Sequence, residues 1–187
     1  MEPRIASIVR YLGGNKGQVE LDEAMIEKIN QAHKKIAQLS KDYFLAVEAG
    51  YKNNEVAELN LKLPGESIKK HLENYDKVVL TCTSLGAEVD QEIKKLAKID
   101  MASSLILDAT ASDYVQQLHE QKIKEKMASY TAHTFPFAIG YGDLPLATQD
   151  DFVRALNVDK MFGIHLSASH LMSPQKTITA IIGVKNA

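Results

Sequence analysis

Apolar residues recur at Met25, Ile29, Ala32, Ile36 and Leu39, a spacing that predicts an amphipathic helix over residues 22–39. Asp22 and Glu23 open it, where negative charge complements the positive end of the helix dipole. His33 lies beside the stripe, four residues after Ile29, and reads as a partly buried structural histidine. The period then changes. Residues 43–49 and 55–63 read as two strands joined by Gly50-Tyr51-Lys52-Asn53-Asn54. In the second, Ala57, Leu59, Leu61 and Leu63 alternate with Glu58, Asn60 and Lys62, the pattern of a half-buried strand with one wet face. Pro64-Gly65 ends it, and a short helix follows over 67–74 with Ser67 or Glu66 near its cap.

Residues 76–84 form a β-rich run that passes through Thr81, Cys82, Thr83 and Ser84 into a helix beginning near Gly86, with Val89, Ile93 and Leu96 on one side. Residues 100–129 contain neither proline nor glycine and predict one long helix. On it Met101, Leu105, Asp108 or Ala109, and Ser112 share a face, and small residues permit close packing against a neighbour. Its second half, 116–126, alternates Lys and Glu and reads as a solvated face. A strand over 130–139 feeds a glycine loop. A further helix is expected from Thr148, with Thr148 as cap, acidic residues in the first turn, and Phe152, Val153 and Leu156 along it. Residues 164–172 and 177–184 read as a terminal hairpin across Ser173-Pro174-Gln175-Lys176. Paired terminal strands after mixed elements predict an α+β fold, a largely antiparallel sheet flanked by helices, in a single domain spanning 1–187.

With 45% apolar and 25% charged residues, the composition is that of a globular chain rather than a disordered one. The net charge of −2 offers no basic field for nucleic acid or anionic lipid. No apolar run approaches the roughly 20 residues that span a bilayer. Met1-Glu2-Pro3-Arg4 does not open a secretory signal. The single cysteine, Cys82, leaves no intramolecular disulfide framework and suits a reducing cytoplasm, which is the expected location.

The candidate chemistry is sparse. The turn Gly13-Gly14-Asn15-Lys16-Gly17 lacks the Gly-Lys-Ser/Thr that a phosphate loop needs. Strand, hydroxyl loop and helix start at Thr83 to Gly86 are arranged as an anion site would be, although Thr83 or Ser84 capping the helix is the simpler reading. Cys82, within a strand, reads as a small buried hydrophobe. His165 and His170 are an odd number of residues apart, so a regular strand turns them to opposite sides and they do not make joint metal ligands. Residues 135–146 concentrate Phe135, Pro136, Phe137, Gly140, Tyr141, Gly142 and Pro145. Gly140 and Gly142 bracket Tyr141, where positive φ allows either a sharp corner or a close backbone approach to a ligand. No nucleophile elbow, metal motif or assignable carboxylate pair is visible. Composition and spacing reach an α+β domain with two candidate ligand-facing loops.

A family resemblance carries the reading further. Gly140-Tyr141-Gly142-Asp143-Leu144-Pro145-Leu146, and Leu171-Met172-Ser173-Pro174-Gln175-Lys176-Thr177-Ile178-Thr179-Ala180-Ile181-Ile182-Gly183, resemble the activation domain of cobalamin-dependent methionine synthase, above all its small stand-alone forms. The likeness continues in order through Arg10-Tyr11-Leu12-Gly13 and residues 78–90 and 100–112. It implies a twisted antiparallel sheet with flanking helices. It also implies an accessory role in cobalamin-dependent methyl transfer: reductive reactivation of cob(II)alamin in a corrinoid-binding methionine synthase or related methyltransferase, with S-adenosylmethionine as methyl donor and cobalamin carried by the partner. Carried over residue by residue, the cofactor-binding positions are Ala138, Gly140 and Tyr141. Pro136 stands where the family has an arginine, and Ser112, beside Asp113, where the long helix has an acidic ligand contact. These departures define an alternative, a docking module for a corrinoid protein or methyltransferase that no longer binds S-adenosylmethionine.

Overall fold

Four antiparallel strands form the centre of the molecule. The computed structural model describes residues 1–13 and 22–186, so beyond Gly13 the first glycine turn lies outside the described residues. The sheet runs in the order β1 (Tyr43–Gly50), β4 (Lys77–Ser84), β8 (Thr177–Lys185) and β5 (Ala132–His133). Two short ribbons stand apart from it, β2 (Glu55–Val56) with β3 (Leu61–Lys62), and β6 (His165–Leu166) with β7 (Met172–Ser173). The helices are α1 (Ile5–Tyr11), α2 (Glu23–Leu39), α3 (Glu66–His71), α4 (Ala87–Leu96), α5 (Met101–Met127), α6 (Thr148–Leu156) and α7 (Val158–Phe162). This is the expected α+β architecture, an antiparallel sheet flanked by helices.

Strand alternation splits the core in two. Val78, Leu80 and Cys82 of β4 and Ile181 of β8 face a cluster with Leu61, Leu63, Ile68, Leu72, Phe137, Phe152 and Leu156. Val79, Ile182 and Val184 face the other way, against Ile123 and Met127 of α5. Farther along α5, Leu107, Ala111, Tyr114 and Leu118 pack on Ile36 of α2, Leu85 just before α4, and Val89 of α4. Ile106 and Ala109 meet Ile8 of α1 and Ile29 of α2. Small residues at 109 and 111 let these helices close on α5 from several sides. Asp100 starts α5 by accepting a hydrogen bond from the Ser103 N–H (3.1 Å), and Asp22 starts α2 by accepting from Met25 (2.7 Å).

Several expectations are corrected. Residues 55–63 are not one strand: a 3-10 turn at Ala57–Leu59 separates β2 from β3, and Asn60 adopts a left-handed conformation (φ 50°) that breaks a regular strand. Leu61 and Leu63 bury as their alternation requires, but in a private ribbon, while β1 pairs with β4. The terminal hairpin is likewise rearranged. Residues 164–172 fold back on themselves as β6 and then β7, with His170 at φ 62°, and β8 pairs with β4 and β5. The strand expected over 130–139 is regular only at β5. Thr148 is not a cap; Ala147 precedes α6 without a side-chain bond, and Thr148 is buried. The second half of α5 is only partly solvated, because Leu118, His119, Ile123 and Met127 are buried over the sheet. Met101 and Leu105 share a face as expected, and that face lies toward solvent.

Candidate functional site

An open cleft of about 740 Å³ lies where the second half of α5 crosses β8 and the chain that follows β5. One wall is a helical stripe, Gln116, His119, Glu120, Ile123, Lys124 and Met127, spaced three and four residues apart. Ile178, Thr179 and Ala180 of β8 form the floor, and His133, Pro136 and Ala138 form the second wall. Local chemistry explains that second wall. After His133 pairs with Val184, the Thr134 N–H donates to the Gly183 carbonyl (2.9 Å) and the Thr134 hydroxyl accepts from the Gly183 N–H (3.0 Å). Pro136 has no N–H to extend the ladder. Pairing resumes at Phe137, which exchanges two 2.9 Å backbone hydrogen bonds with Ile181. Phe137 and Ile139 then point into the core, and the intervening Pro136 and Ala138 are exposed at the cleft.

Of the expected site residues, only Ala138 lines the cleft. Gly140 and Tyr141 lie past it, in the turn that leaves the sheet. Gly140 has φ 85°, and a Cβ there would come within 3.1 Å of Leu146. Gly142 has φ 60°, and a Cβ would meet the Ser67 hydroxyl at 2.7 Å. Both glycines are therefore required by the fold itself. Tyr141 is 66% exposed, with its ring edge-on to Phe137. Asp143 ties the loop down: its carboxylate accepts from the backbone N–H of Glu66 (2.8 Å) and Ser67 (2.9 Å), capping α3 from a distance of 76 residues or more. These hydrogen bonds hold the Asp143 carboxyl below its usual range. The cap expected from Ser67 or Glu66 is thus supplied by the glycine loop instead.

His119 is the buried polar group of the cleft wall. Its Nδ1 lies 2.9 Å from Thr83 Oγ1, and burial pushes its pKa down to about 4, so the ring is neutral at pH 7. Glu120 accepts from Arg4 Nη1 (2.8 Å) and from Gln116 Nε2 (3.0 Å). Lys124 makes no ion pair among the described residues. One end of the cleft is therefore acidic and amide-rich, and the other carries Lys124 and His133.

The long helix holds two further charge clusters. Lys176, buried, donates to Asp108 (2.8 Å) and Ser112 (3.0 Å). Asp113, 1% exposed, accepts from the Arg4 backbone N–H, Arg4 Nε and Gln117 Nε2 at 2.7–2.9 Å. Ser112 is thus engaged by Lys176, and Asp113 faces the N-terminal segment.

The hydroxyl loop at Thr83 to Gly86 does not cap α4. Thr83 pairs with His119, Ser84 bonds Thr177 Oγ1 (2.8 Å), and Gly86 precedes the helix without a side-chain cap. Cys82 is fully buried, and desolvation raises its pKa to about 12, which makes it an inert core residue. His170 pairs with Asp150, and His165 is not in that pair. Among the described residues no group of three or more His, Cys, Asp or Glu is placed to hold a metal, and no helix is long and apolar enough to cross a membrane.

Sequence reasoning missed His119, Glu120 and Lys124. Leu118, Ile123 and Met127 at helical spacing within the Lys/Glu stretch are the signal that one side of it is covered.

The antiparallel sheet with its flanking helices is a reactivation-domain-like fold. Among the solved structures that share it is the crystal structure of the MetH reactivation domain bound to AdoHcy, with a TM-score of 0.64 and 13% sequence identity, over 95% of this chain and 72% of that one. No protein-family model matches the chain, and no curated protein matches it.

Proposed function

We propose that this chain is an accessory protein of cobalamin-dependent methyl transfer, acting in the cytoplasm on a corrinoid-binding methionine synthase or a related methyltransferase during reductive reactivation of cob(II)alamin. The observation that carries the reading is the cleft lined by Ala138, in a fold shared with a reactivation domain solved with AdoHcy. The cleft is of ordinary small-molecule size. Ile123, Met127, Pro136 and Ala180 supply an apolar bed, Lys124 a cation for a carboxylate, and Glu120 an acceptor for hydroxyl groups. These residues fit S-adenosylmethionine, with the Ala138 backbone beside it. Bound there, S-adenosylmethionine would supply an electrophilic methyl group. The chain's own part is to hold and orient the donor, to exclude water along the apolar bed, and to present the open side to the partner, which carries the cobalamin.

Calorimetry with S-adenosylmethionine and AdoHcy tests the ligand part. Saturable heat is expected, and Pro136→Arg is expected to strengthen binding of these carboxylate-bearing ligands by adding a guanidinium to the second wall. Absence of heat from both proteins would remove this reading.

A second reading is a docking module without its own ligand. Pro136 favours it, because that wall carries no fixed cation, and so does the exposure of Phe135 and Tyr141. Recovery of a corrinoid protein in a pull-down, with no effect on its methylation, is the outcome that would select it.

A further inference from the structure

The Thr83–His119 pair is built into the side of the cleft where the sheet and α5 meet. Thr83 is fully buried and His119 is 3% exposed. Their single hydrogen bond, Oγ1 to Nδ1 at 2.9 Å, is the only one either side chain makes among the described residues. A buried hydroxyl proton without an acceptor costs more than an unused lone pair. The Thr83 hydroxyl therefore donates, and Nδ1 accepts. A neutral imidazole that accepts at Nδ1 carries its proton on Nε2. The other ring nitrogen, Nε2, makes no hydrogen bond among the described residues. The ring itself lines the cleft, with Nδ1 engaged by Thr83.

We infer that His119 is a ligand-binding residue, an uncharged N–H donor held by Thr83 and aimed at an acceptor atom of a nucleoside-type ligand in the cleft. This inference rests on the reading of the cleft as an adenosyl site. It adds a contact made by neither the glycine loop nor the second wall. Since the donor is neutral, it selects for a ring nitrogen or ribose oxygen without demanding charge, while Lys124 and Glu120 remain for the charged and hydroxyl groups. Thr83 acts through the ring and is a positioning residue.

The test is calorimetric titration of AdoHcy into the intact chain and into the double variant His119→Phe/Thr83→Val, which removes both polar partners together and leaves no orphan. Losing one neutral hydrogen bond should weaken binding about three- to tenfold, with the melting temperature of the variant little changed. Equal affinity in both proteins would overturn the inference and leave the adenosyl site standing. Absence of binding to the unmodified chain would overturn both. Nitrogen NMR of the His119 ring in the unmodified protein gives a second, fold-independent readout. The Nε2–H tautomer, with a resonance that moves on saturation with AdoHcy, is expected; an Nδ1–H tautomer or an unmoved resonance would contradict the assignment.

Discussion

At the residue scale, His119 links the stability of this protein to pH in the acid range. In the unfolded chain its ring takes up a proton near 6.5, whereas the native ring resists until about 4. Between those values the unfolded state binds more protons. The contribution is therefore fully present above about 6.5 and is lost as pH falls toward 4. The loss amounts to roughly 3 kcal/mol by pH 4. His33 and His71 are lowered by burial as well and act in the same direction. Urea unfolding at pH 7 and pH 4.5 should show the decline, and His119→Phe/Thr83→Val should flatten it; an unchanged pH slope in that variant would assign the effect elsewhere. Gly142 gives a second residue-scale prediction. Its φ of 60° and the Ser67 hydroxyl 2.7 Å from a would-be Cβ make Gly142→Ala destabilising by about 1–2 kcal/mol, measurable as a drop in denaturant midpoint.

At the element scale, α5 organises the molecule and Arg4 fastens the N-terminal segment to it. Removing Arg4 leaves the Asp113 carboxylate buried with Gln117 but no cation. Arg4→Ala should cost about 2 kcal/mol, less than for a fully buried pair because Arg4 itself is 38% exposed. Chemical unfolding of that variant checks the figure. α2 and α4 were legible from apolar spacing, α5 from its lack of proline and glycine, and β4 from its β-branched run. The 55–63 segment was not, because alternation of Leu59, Leu61 and Leu63 satisfies a 3-10 turn and ribbon as well as a strand, and Asn60 decides between them. The polar half of α5 was misread for a related reason. Lys and Glu occupy its solvent side, but Ile123 and Met127 are covered by β4 and β8, which are distant in sequence.

At the scale of the whole molecule, the α+β class was legible and the strand pairing was not. Register between β8 and β4 joins residues about a hundred positions apart, and nothing local to 164–184 distinguishes that pairing from a terminal hairpin. The same non-local packing assembles the cleft from α5, β8 and the chain after β5. Ala138 could be anticipated there by family resemblance, whereas His119 required the fold. Phe152, fully buried where α6 meets the sheet, reports on the integrity of this packing: Phe152→Ala should cost about 3–5 kcal/mol in equilibrium unfolding.

The central claim is that this cleft holds an adenosyl ligand. Titration of AdoHcy into the unmodified chain and into Ala138→Trp, whose indole would fill the space between Pro136 and α5, tests it most directly. The predicted result is saturable one-site binding to the unmodified chain and its loss in a variant that still melts cooperatively. No binding to the unmodified chain, or equal binding by both proteins, would contradict it.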